Sequence, residues 1–228
     1  MAFILKIATR HYGEKVAGVF LKILGRKVPL KLALTMNWKQ VQEFARNNSM
    51  AMALYNNAAQ DYGACRCCLI NGFFPGFILG AQAIEKILKA FILLHDNKVN
   101  PKSFSHNLTK LVDEVQKNND YGLARFLPLI RRLQIDYQTR YPDNPCKGAS
   151  SSTGQLVEID ELIFYLIDQI PLPDEVKFKS GVYSMLFPGN PNSPWHKWIS
   201  IYNRTLTEFY GNLERRFVEI KNHLSWER

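Results

Sequence analysis

Apolar residues recur every three or four positions along most of the chain and strict alternation is scarce. That pattern predicts helices joined by short turns and argues against sheet. The first apolar stripe, Tyr12 to Leu24, carries Val16, Val19, Phe20, Leu21 and Leu24 with Lys15 and Lys22 beside it, and breaks at Gly25 and Pro29. It reads as a basic amphipathic helix, able to pack on its own protein, a partner or a membrane surface. The second begins near Trp38 and runs, with a break at Asn47 to Ser49, through Leu54, Tyr55, Ala58, Tyr62, Cys65 and Leu69. Asn71, Gly72, Pro75 and Gly76 end it. The third, the clearest in the chain, places Phe77, Ala81, Ile84, Leu88 and Phe91 on one face through about Leu94, with Glu85 and Lys89 as a favourable i,i+4 pair.

A polar turn from Asp96 to Ser103 leads to Ser105 as an expected N-cap, followed by a short helix with Leu108, Leu111, Val112 and Val115 inward. The next helix, Asp120 to Thr139, contains Pro128, which should kink or restart it. Tyr141 to Gly154, with two prolines and three consecutive serines, reads as a mobile loop. An apolar helix from Leu156 to Ile170 follows, closed by Pro171 and Pro173. Residues 174–194 read as irregular, and a long helix is expected from Trp195 to Leu224, striped by Trp198, Tyr202, Leu206, Phe209, Leu213, Phe217, Ile220 and Leu224. The fold class is therefore all-α, and no internal repeat is visible.

At 228 residues, 46% of them hydrophobic, the chain can bury a substantial core. Its formal charge of +9 is uneven, since residues 1–48 hold nine basic side chains against Glu14 and Glu43. Such a segment attracts polyanions, whether phosphate backbones, acidic partners or anionic lipid, or serves as a solvated face. No run of 18 apolar residues and no secretory leader is present, which sets a cytoplasmic expectation without a transmembrane segment. Cys65, Cys67 and Cys68 crowd one helical turn where neighbours cannot easily bridge, so they read as small hydrophobes in a reducing compartment. Cys65 and Cys68 form a lone C-x-x-C without a second pair, and no metal site or cofactor is expected.

Four segments carry a family resemblance: A-A-x-D-Y-G-A-C at 58–65, A-Q-A-I-E-K-I-L-K-A at 81–90, S-H-N-L-x-x-L at 105–111 and T-R-Y-P-D at 139–143. In order and spacing they resemble the HEPN domain (higher eukaryotes and prokaryotes nucleotide-binding). The resemblance implies an up-and-down helical bundle, here with a basic extension at 1–48 and a bundle over 49–228 interrupted by a loop or insertion at 141–194. It also implies a homodimer, in some members paired with a nucleotidyltransferase in a toxin and antitoxin system. Members of the family bind nucleotides (GTP or ATP) or RNA, and some cut RNA without metal.

The ribonuclease members share an Arg-x(4-6)-His motif, in which the Arg stabilises phosphate charge and the His transfers a proton. Only His223 has an Arg at matching distance, Arg216, and Phe217 stands where the family prefers a polar residue. For phosphate binding the candidates are Arg140, Lys86, Lys89 and His106. Each also has a structural reading, Arg140 as a helix-end cap and the two lysines as a solvated face. The expectation is a nucleotide- or RNA-phosphate-binding or assembly protein without catalysis of its own. A metal-independent ribonuclease and a pure interaction module are the alternatives.

Overall fold

The computed structural model describes residues 38–118, 120–138, 153–186, 198–206 and 208–209. Helix α1 (Trp38–Asn47) is short and buries Val41, and a turn at Asn48 separates it from α2 (Ser49–Ile70). Helix α2 and α3 (Pro75–His95) form the central hairpin of the bundle. Their turn is built from local hydrogen bonds: the Asn71 side chain donates to Cys67 O at 2.7 Å, and Gly72 takes a positive φ of 77°. Close approach of the two helices depends on Gly76, where a Cβ would lie 2.6 Å from the Leu69 side chain and 2.9 Å from Cys65 O.

After α3, a 3-10 turn (Pro101–Phe104) is capped by Asn100, whose side chain accepts from Lys102 N at 3.0 Å. Helix α4 (Leu108–Asn118) buries Leu108, Leu111, Val112 and Val115 as the periodicity requires. Its cap is Asn107, which accepts from Lys110 N at 3.0 Å, instead of the expected Ser105. Ser105 lies two residues earlier with φ 51°, because the chain must reverse there before the helix starts.

The expected helix with Pro128 divides in two. A 3-10 turn (Leu123–Phe126) precedes α5 (Leu127–Gln138), so Pro128 falls in a first turn, where its missing N–H leaves no bond broken. Helix α6 (Thr153–Gln169) packs Ile159, Leu162, Ile163, Phe164, Leu166 and Ile167 into the core. Two short helices, α7 (Asp174–Lys179) and α8 (Gly181–Leu186), occupy part of the stretch that composition suggested was irregular. Buried Val176 and Val182 hold them to the bundle, and the Asn56 side chain accepts from Gly181 N at 2.7 Å.

The long helix expected from Trp195 is interrupted. Residues 198–200 are helical, 201–203 leave the helix with Tyr202 at φ 54°, and 204–206 resume it. The architecture among the described residues is all-helical, without strands, and none of those helices is long and apolar enough to cross a membrane. The expected 12–24 helix, most of the 141–154 loop, Arg140, Arg216 and His223 lie outside the described residues.

Candidate functional site

A buried polar network fixes the wall of the site. Tyr62 and Arg66 stand four residues apart on α2, and both reach Asp160 of α6: Tyr62 Oη donates to one carboxylate oxygen at 2.7 Å, and the Arg66 guanidinium pairs with the other. Both partners of the ion pair are almost fully buried, at 0% and 1% side-chain exposure. Arg66 also donates Nε to Trp198 O at 2.8 Å and a terminal nitrogen to Ile201 O. It thereby supplies donors to backbone carbonyls beside the break in the helix. Asn203 completes the network, donating to Tyr62 Oη at 3.1 Å and to Ile199 O at 2.9 Å while accepting from Leu206 N at 2.9 Å. Burial pushes the Asp160 carboxyl up against the opposing pull of Arg66, and it pushes the Tyr62 phenol well above its ordinary range, with Asp160 adding to the shift.

The segment so anchored forms one wall of a groove of about 910 Å³ between α5 and α6. That volume lies within the roughly 300–1,000 Å³ of small-molecule sites. The two helices run in opposite directions past it, since Phe126 meets Tyr165 at one end while Arg132 pairs with Glu158 at the other. Phe164 and Phe209 close the floor with ring centroids 4.7 Å apart. One face of α6 lines it through Val157, Glu158, Glu161, Tyr165 and Asp168, which fall at helical spacing.

The most distinctive feature is Arg125. Its guanidinium carbon lies 4.3 Å from the Tyr165 ring centroid and 4.6 Å from that of Phe126. Tyr165 is held in turn by its hydroxyl, which donates to Tyr121 O at 2.7 Å. This packing needs Gly122, whose φ is 62° and where a Cβ would lie 3.0 Å from the Tyr165 hydroxyl. Asp120 sets the turn by accepting from Gly122 N at 2.9 Å. The result is a flat cationic plate at the edge of the groove, a surface of the kind on which planar groups can stack. Arg132 and Arg204 are the other cations of the lining, against the carboxylates of Glu158, Glu161, Asp168 and Glu208.

The cations singled out from the sequence are placed differently. Lys86 Nζ pairs with Asp61 at 2.5 Å on the α2–α3 face. Lys89 Nζ lies 2.6 Å from Glu85 and donates to Ser105 O at 2.8 Å. His106 Nδ1 lies 3.0 Å from the same Glu85 carboxylate and 3.0 Å from Tyr137 Oη. Lys89 and His106 therefore come together with Tyr137 around Glu85, whereas Lys86 stands apart. A phosphate at any of these three cations competes with a carboxylate already in place.

Sequence reasoning passed over Arg66, Asp160 and Arg125. A signal existed for the first two, since Arg66 and Asp160 each interrupt an otherwise apolar helical stripe. For Arg125 it did not, because one of the rings that holds it comes from a distant helix. Comparison with known proteins finds no matching family model, no matching curated protein and no matching solved structure.

Proposed function

We propose that this chain is a HEPN-like helical bundle that binds a nucleotide, or the base and phosphate of an RNA, in the α5–α6 groove, with no chemistry of its own on the ligand. The observation that carries the reading is Arg125 laid against Tyr165 and Phe126 at the edge of a nucleotide-sized groove. Its stacking leaves the opposite guanidinium face for a base, and Arg204, which has no ion-pair partner among the described residues, is within the same lining to meet phosphate.

Three free thiols on α2 support a reducing, cytoplasmic setting. The family resemblance extends the proposal to a homodimer and to a nucleotidyltransferase partner. The test is calorimetric titration with ATP and GTP, and anisotropy with a short labelled RNA that is afterwards examined for cleavage. Saturable binding, lost in Arg125→Ala with the RNA intact, is expected. Loss in His106→Ala with Arg125→Ala unaffected moves the site to the Glu85 cluster. Metal-independent cleavage replaces the reading with a ribonuclease, and silence throughout leaves an interaction module.

A further inference from the structure

We infer that the groove selects guanine among the bases and that Glu161 is the residue that reads it, an inference that rests on the nucleotide-binding proposal above. The polar lining is chemically one-sided: apart from Thr205 and the committed hydroxyl of Tyr165, its side-chain acceptors are all carboxylates. Glu158 is taken by Arg132, and Asp168 accepts from Gln169 Nε2 at 3.1 Å. Glu161 and Glu208 have no ion-pair partner among the described residues, and of the two Glu161 is the one on α6, the helix that carries Tyr165. It precedes Tyr165 by one helical turn on the same face, a separation of about 6 Å. Arg125 and Glu161 thus line the same groove near Tyr165, which sets a base stacked on the Arg125 plate within reach of the Glu161 carboxylate.

An ionised carboxylate only accepts hydrogen bonds, and its two oxygens suit a pair of parallel donors. Guanine presents such a pair, N1–H and the exocyclic 2-amino group. Adenine and cytosine place a ring acceptor next to their amino group, and uracil flanks its single N–H with two carbonyls, so each sets a lone pair against the carboxylate. Arg204, on the opposite wall, remains for the phosphates.

The experiment is calorimetric titration of the full chain with GTP, with ITP, which lacks only the 2-amino group, and with ATP. GTP is expected to bind about 10- to 100-fold more tightly than the other two, the effect of one charged hydrogen bond or more. Glu161→Gln keeps one acceptor and gains a donor that suits adenine's ring nitrogen, so it should weaken GTP more than ITP, raise ATP and erase the preference for GTP over ATP, with the circular dichroism spectrum of the wild type. Equal affinity for all three nucleotides, each weakened by Arg125→Ala, overturns the guanine assignment and leaves the nucleotide-binding proposal standing. No binding of any of them overturns both.

Discussion

Arg66 and Asp160 form an ion pair that water does not reach, and the same guanidinium holds two backbone carbonyls of the 198–201 segment. One side chain thus ties α2, α6 and the C-terminal segment together, and through that segment sets the wall of the groove that carries Arg204, Thr205, Glu208 and Phe209.

Removing one partner of such a pair leaves an uncompensated buried charge. Asp160→Ala should therefore lower stability by about 3–5 kcal/mol, measured by urea denaturation. Asp160→Ala combined with Arg66→Met should cost less than the two single variants together, because no charge is then stranded. A double variant as unstable as the sum of the two single ones contradicts the account.

Tyr202 occupies the left-handed region at φ 54° with 78% of its surface exposed. Its side chain gains little from burial, so the strained backbone is its main contribution. Tyr202→Gly should raise stability by about 1 kcal/mol, read as a shift in denaturation midpoint at unchanged slope. A decrease would mean that the exposed ring makes contacts important to the fold.

Burial holds the Cys65 thiol protonated far above its ordinary 9.0, with Asp160 adding to the effect. Burial likewise raises Tyr62 above its ordinary 10.0. A group raised on folding contributes in full below its unfolded value and progressively less as pH climbs toward its folded one. Stability should therefore be lost as pH rises beyond about 9, and Cys65→Ala should flatten the first part of that fall. Alkylation of the native protein followed by mass spectrometry should spare Cys65, which is buried, and modify the partly exposed Cys67. Equal labelling of both without denaturant would show that α2 opens readily.

Lys86 and Lys89 test the division of labour among the cations. Both face carboxylates, at 2.5 Å and 2.6 Å. Lys86 is about one-third exposed, so Lys86→Ala should change stability by at most about 1 kcal/mol and nucleotide affinity by less than about twofold. A larger fall in affinity, seen by calorimetry, would place the ligand on the α2–α3 face.

The helices were legible in the sequence because period and punctuation act locally: Ile84, Leu88 and Phe91 define α3, and Pro171 and Pro173 close α6. The break at 201–203 was not, because the Trp198, Tyr202, Leu206 stripe runs straight through it. Arg66 donates to Trp198 O from α2, and the Asn203 side chain donates to Ile199 O and accepts from Leu206 N, so side chains pair backbone groups on both sides of the break. Lys89 and His106 stand out in the sequence only as separate candidate cations; their meeting at Glu85 was not legible, because Glu85 looks like an ordinary i,i+4 partner on a helix surface. The groove escaped notice because its walls come from three segments distant in sequence.

The most direct test of the central claim is titration of GTP into the wild-type chain and into Arg125→Ala under identical salt. Arg125 is exposed and its replacement leaves the buried network intact, so a folded variant is expected. The account predicts saturable binding to the wild type and at least tenfold weaker binding to Arg125→Ala. Identical binding to both, or none to either, contradicts it.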